Sequence, residues 1–164
     1  MDCKFNASEI FDIAITIEEN GKEFYKAAAE FAENEDAKST LTSLADMEDN
    51  HKQTFEKMKA QFSGENEQSL TFDPEGLATA YLQAVAGGLV FDTDEKPVDF
   101  ARQNKSYKEI LRKAIQLEKD SIAYYMGIKD CVPENLGREK IDEIIREEMR
   151  HINMLAAALK MKID

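Results

Sequence analysis

Residues 44–58 read LADMEDNHKQTFEKM. Around this stretch Leu41, Leu44, Phe55, Met58 and Phe62 keep a 3-4 spacing, which predicts one apolar face of a helix over about residues 37–62. Glu48 and His51 fall on that same face, where a water-soluble helix ordinarily carries Leu or Phe. An isolated buried carboxylate is costly, so it must be paired or neutralised. One Glu-x-x-His is common by chance in a Glu-rich chain, and recurrence is what gives it weight.

It recurs 100 residues later, as Glu148 and His151 in the run EEMRH at 147–151. Those two lie on the stripe Ile141, Ile144, Glu148, His151, Leu155, Ala158 of a helix predicted over about 137–162. The same offset joins Glu18 to Glu118 and Tyr25 to Tyr125. It also joins Phe11 to Leu111, Ala14 to Ala114, Leu41 to Ile141 and Phe55 to Leu155. Two copies of a helical hairpin result, about 8–33 with 37–62 and about 106–129 with 137–162. Asn34-Glu35-Asp36 supplies an N-cap for the second helix, Ser106 with Glu109 a capping box for the third, and Pro133 and Gly137 the break before the fourth. Residues 63–105 form a long crossover. Within it, Asp73-Pro74 opens a short helix that ends at Gly87-Gly88, and the acidic turn DTDEKP follows. The expected fold is all-α: a four-helix bundle of two repeated hairpins, one domain over 1–164.

Counting residues brings the polar positions together. Glu18 lies 17 residues before Glu35 and His51 lies 16 after it. At about 1.5 Å per residue both sit roughly 24–26 Å from the turn, facing each other in an antiparallel hairpin. The second hairpin repeats the arrangement around Asn135, so four carboxylates and two imidazoles share one level. Glu19 keeps company with Asp12, Lys22, Glu23 and Lys26 and reads as solvated; Glu147 likewise reads as surface beside Glu143 and Arg150. No Lys or Arg falls on the seam, and two divalent cations would balance four carboxylates. Tyr25 and Tyr125, at matched sites, are expected to hydrogen-bond these carboxylates. Tyr107 and Tyr124 read as packing, and Met47, Met58, Met149 and Met154 as core filler. Cys131 reads as a loop bystander.

Composition narrows the classes. With 43% apolar and 33% charged residues the chain is neither disordered nor membrane-like. A net charge of −12 without a basic tail argues against binding nucleic acid. The start, MDCKFNASEI, has no signal-peptide core, and the apolar run LATAYLQAVAGGLVF is too short and mixed to span a bilayer. Cys3 and Cys131 form no CxxC, and a reducing cytoplasm is expected.

The ligand pattern, one Glu from each of two helices and Glu-x-x-His from each of two others, is that of ferritin-like di-iron carboxylate bundles. The runs AITIEENGKEFYKAA, LADMEDNH, AIQLEKDSIAYY and IIREEMRH resemble the rubrerythrin branch. The resemblance implies two iron ions, with manganese or a mixed pair as alternatives. It implies as ligands Glu18, Glu48, His51, Glu118, Glu148 and His151, with Glu48 and Glu148 bridging. It also implies a peroxide- or dioxygen-reducing oxidoreductase. Rubrerythrins usually add a rubredoxin-like domain with paired CxxC motifs, and this chain has none, so a separate donor such as a rubredoxin-like protein is expected. Many also carry a further Glu one turn beyond the third-helix ligand, where Ser121 stands here. A ferroxidase or storage role and a non-catalytic metal-bound bundle are the alternatives. A homodimer is expected from the apolar crossover residues Leu77, Tyr81, Leu82, Val85, Leu89 and Phe91.

Overall fold

The computed structural model describes residues 7–62, 73, 75–91, 95–103 and 105–161. Cys3, the loop 63–67, Pro74, the Phe91 side chain and positions 92–94 of the acidic turn lie outside the described residues. Among the described residues six α-helices follow in order: α1 (Ala7–Glu30), α2 (Glu35–Phe62), α3 (Leu77–Ala86), α4 (Pro97–Arg102), α5 (Tyr107–Cys131) and α6 (Arg138–Met161). Among the described residues there is no strand, and no helix is long and apolar enough to cross a membrane. The four long helices pair as α1 with α2 and α5 with α6, the two hairpins of the repeat.

Local chemistry sets their ends. Asn34 Oδ1 accepts the Ala37 N–H at 2.8 Å, capping α2. Ser106 and Glu109 form the expected reciprocal capping box at α5. Helix α1 stops at Glu30 rather than near 33, because Phe31 and Ala32 turn their N–H groups to Ala28 and Ala29 and tighten the last turn. Gly137, at φ +106°, makes the left-handed break before α6.

The crossover holds more than the one helix read from the sequence. Helix α3 starts at Leu77, after Gly76 in a left-handed conformation (φ +69°). Asp73 still serves its first turn, its carboxylate accepting the N–H groups of Thr79 and Ala78 at 2.8 and 3.3 Å. A π-helical turn, Gly87–Phe91, continues α3. The second short helix, α4, uses Pro97 as its first residue; in sequence that proline looked like the end of a turn. Helix α3 lies along α5 and α4 along α1, so the crossover spans both hairpins. Leu82 and Ala86 are fully buried against the bundle and Val85 and Leu89 pack on it, whereas Leu77 and Tyr81 remain at the surface.

Two apolar slabs fill the bundle. One holds Phe11, Phe55, Phe62, Leu82, Tyr124 and Ile128, the other Phe24, Leu41, Leu44, Ile110, Leu111 and Leu155. Of the four methionines read as core, Met58 is, but Met47, Met149 and Met154 are each at least 37% exposed. Met tolerates either setting, so helical spacing alone misplaces it. Cys131 is the last residue of α5 rather than part of the loop, and it is buried. Burial, with Asp73 and Asp130 nearby, pushes its thiol up to about 11.

Gly127 is where α3 reaches α5. A Cβ there would come within 2.7 Å of Leu82 and 2.8 Å of Tyr81. Gly127→Ala should improve helix propensity by about 1 kcal/mol while overpacking this contact by about 1–3 kcal/mol. The expected outcome of urea unfolding is a net loss of about 1 kcal/mol, with α3 becoming the first site of limited proteolysis. A more stable variant would show that α3 is not seated on α5 as described.

Candidate metal centre

Between the two slabs lies a polar layer contributed by all four long helices. Glu18 comes from α1, Glu48 and His51 from α2, Glu118 from α5, and Glu148 and His151 from α6. All six are at most 3% exposed. Glu19, by contrast, lies on the outer face and pairs with Lys52 at 2.6 Å, while Lys22 pairs with Asp49 at 2.9 Å. The cations at this level thus turn outward to surface acids. None of them meets the inner carboxylates.

The six residues form two overlapping groups. Glu18, Glu48, His51 and Glu148 each offer a ligand atom within 4.8 Å of one another, and so do Glu48, Glu118, Glu148 and His151. Glu48 and Glu148 belong to both groups, Glu18 with His51 to one and Glu118 with His151 to the other. Each imidazole turns Nδ1 inward. His51 Nδ1 is 3.1 Å from Glu148 and 3.6 Å from Glu18; His151 Nδ1 is 2.8 Å from Glu148 and 3.4 Å from Glu118. The two rings stack with centroids 5.9 Å apart.

The tyrosines cross between hairpins. Tyr25 on α1 donates to Glu118 Oε1, and Tyr125 on α5 donates to Glu18 Oε1. Each ring is wedged by an aromatic neighbour, Phe24 for Tyr25 and Phe55 for Tyr125. Burial, then the adjacent carboxylates, push both phenols well above their ordinary range, so they remain donors. Tyr124 packs as expected, its hydroxyl donating to the Ile10 carbonyl.

Electrostatics shows what the layer lacks. Burial and then neighbouring carboxylates push Glu48 well up, and the same causes raise Glu118 to about 8. Burial also raises Glu18. Desolvation would raise Glu148 too, but the imidazoles of His151 and His51 close beside it win and draw it down to about 2. Burial opposes protonation of His51, yet Glu148 and Glu18 raise it to about 11. The inward atoms lack well-formed hydrogen bonds: Glu18 Oε2, Glu48 Oε1, both Glu148 oxygens and both histidine Nδ1 atoms have no such partner. Buried polar atoms are ordinarily satisfied. Hard oxygens with imidazole nitrogen, converging from four helices, are a donor set for divalent metal.

Two contacts at the rim escaped the sequence reading. Glu147, half exposed as expected, places Oε2 2.7 Å from His51 Nε2. Met47, its mate in the repeat, places Sδ 3.1 Å from His151 Nε2. The 100-residue offset was the available signal for both.

Fold and site together define a carboxylate-rich metal centre in a ferritin-like helical bundle. The profile of the rubrerythrin family matches residues 9–90, and the chain belongs to that family. A crystal structure from Thermotoga maritima, provisionally described as a ferritin-like diiron-carboxylate protein, superposes with a TM-score of 0.72 at 25% identity, over 96% of each chain. No curated protein matches the chain.

Gly21 gives Glu48 its place, since a Cβ there would stand 2.6 Å from Glu48 Oε2. Gly21→Ala should displace that carboxylate and weaken divalent metal binding about tenfold or more, within the range for groups that orient ligands, with helix content unchanged. Gly88→Ala, where a Cβ meets nothing within 4 Å, is the control. Equal affinity in the two variants, measured by metal titration, would mean that Glu48 is not a ligand.

Proposed function

We propose that the protein is a non-haem di-iron oxidoreductase that reduces hydrogen peroxide to water with electrons from a separate donor. The observation that carries this reading is the pair of overlapping four-residue groups sharing Glu48 and Glu148. Such sharing suits two ions bridged by two carboxylates. Four carboxylates then balance two divalent charges while neutral imidazoles add none. Carboxylate and imidazole donors suit iron or manganese.

When bound, a diferrous pair supplies the two electrons that, with two protons, convert hydrogen peroxide to two waters. The chain does the rest. The apolar slabs above and below keep bulk water away. Tyr25 and Tyr125 hold one oxygen of Glu118 and Glu18, and leave Glu18 Oε2 turned inward without a partner. A cavity of about 40 Å³ beside Glu48 and Glu118, walled by Gly21, Tyr25, Leu117 and Ser121, gives a small molecule room next to the ligands. One water needs roughly 10–15 Å³ on this measure, so peroxide or dioxygen fits and a larger organic oxidant does not. Each phenol keeps its proton and fixes by hydrogen bond the carboxylate it touches. In this reading a separate donor, such as a rubredoxin-like protein, re-reduces the site, since Cys131 is buried and neither it nor Cys3 stands in a CxxC.

The test is anaerobic loading with two equivalents of Fe(II), then mixing with peroxide or with dioxygen. Oxidation by peroxide should be the faster, and a reductant should sustain peroxide consumption. Faster oxidation by dioxygen with retention of ferric iron would instead support a ferroxidase. Glu48→Ala combined with His51→Ala should abolish stoichiometric binding, and an unchanged metal content would sink the proposal. Metal at about 100 times its dissociation constant should stabilise the wild type by about 2.7 kcal/mol per site, read as a rise in Tm that the double variant lacks.

A further inference from the structure

The repeat is chemically unequal at the position that touches each histidine's outer nitrogen. Residues 47 and 147 each stand four before their own histidine, and each reaches across the bundle to the histidine of the other hairpin. Both imidazoles turn Nδ1 to the carboxylates, so a neutral, metal-bound ring carries its proton on Nε2. For His51 that Nε2 meets the Glu147 carboxylate at 2.7 Å. For His151 it meets the Met47 thioether at 3.1 Å. A carboxylate is a strong, charge-assisted acceptor, whereas a thioether is a weak one.

We propose that Glu147 and Met47 make the two metal positions unequal, Glu147 acting as a positioning residue that renders the Glu18–His51 half the tighter and first-filled one. This rests on the di-metal reading above. A carboxylate behind an imidazole fixes the ring's orientation and raises its donor strength. Glu147 is 47% exposed, which screens its charge but not its short contact with a side chain only 4% exposed. The thioether gives His151 a neighbour to pack on and little else. The matched pairs 18/118, 25/125, 48/148 and 51/151 are of one residue type in both halves and carry no such chemical difference.

The chain has two histidines, so each half carries its own reporter. Apo protein labelled with 15N-histidine is titrated with Zn(II) and followed by NMR. His51 should shift with the first equivalent and His151 with the second, and the His51 Nε2–H should exchange the more slowly. Mn(II) binding, read from the free-ion EPR signal, should give two constants about tenfold or more apart, the low end of such second-layer effects. Glu147→Met should weaken the tighter site about 10–100-fold and merge the constants. Glu147→Gln, whose amide oxygen still accepts, should keep most of the gap. Should Glu147→Met misfold, Met47→Glu is the second variant, and it should close the gap by tightening the weaker site. Two equal constants in the wild type, His151 filling first, or a gap untouched by Glu147→Met and by Met47→Glu would each overturn the inference while leaving the di-metal reading intact. No metal binding at all would overturn both.

Discussion

Four carboxylates crowded into one dry layer are the constraint on which the rest of this structure depends. Two unit charges 4 Å apart repel by about 4 kcal/mol at an effective dielectric of 20. Several such pairs would consume the roughly 5–15 kcal/mol that holds an ordinary domain folded. The layer therefore cannot stay fully charged and empty. Protons are one remedy, and the upward shifts at Glu18, Glu48 and Glu118 express it. Six inward-facing atoms of the layer nonetheless lack a well-formed hydrogen bond. Divalent cations held there would answer both needs at once, supplying positive charge and partners for inward-facing atoms.

That layer is also what joins the hairpins. Tyr25 to Glu118, Tyr125 to Glu18, His51 to Glu147 and Met47 to His151 all run from one hairpin to the other. The apolar slabs grip from both sides, with Phe55 against Tyr125 and Phe24 against Tyr25. Assembly of the bundle and assembly of the site are thus one event. A substitution that loosens a ligand also loosens the seam, which is why metal titration and thermal stability must be read together.

The repeat made most of this legible in the sequence. Helix-face neighbours select Glu18 over Glu19, and side-chain chemistry recurring at a fixed offset lifts Glu48 and His51 above chance. The caps at Asn34 and Ser106 were legible because they act within four residues. What was hidden depended on distances between elements. Glu147 looked like a surface acid, and is half exposed, but its reach to His51 is set by how far apart α2 and α6 sit. Met47 was hidden for the same reason. Pro97 and Asp73 misled because the same local chemistry serves a turn, a first helical residue or a cap one turn removed.

The departures from symmetry point further than the symmetry does. Glu148 contacts both histidines and is fully enclosed, whereas Glu48 contacts His151 alone, at 3.6 Å. The small cavity opens beside Glu48 and Glu118, not beside Glu148. Gly21 stands against Glu48 where its mate in the second hairpin is Ser121, and both line that cavity. Of the two shared carboxylates, Glu148 is then the fixed anchor and Glu48 the one with room beside it. The two hairpins, alike in sequence at the site, thus differ in the space they leave beside it.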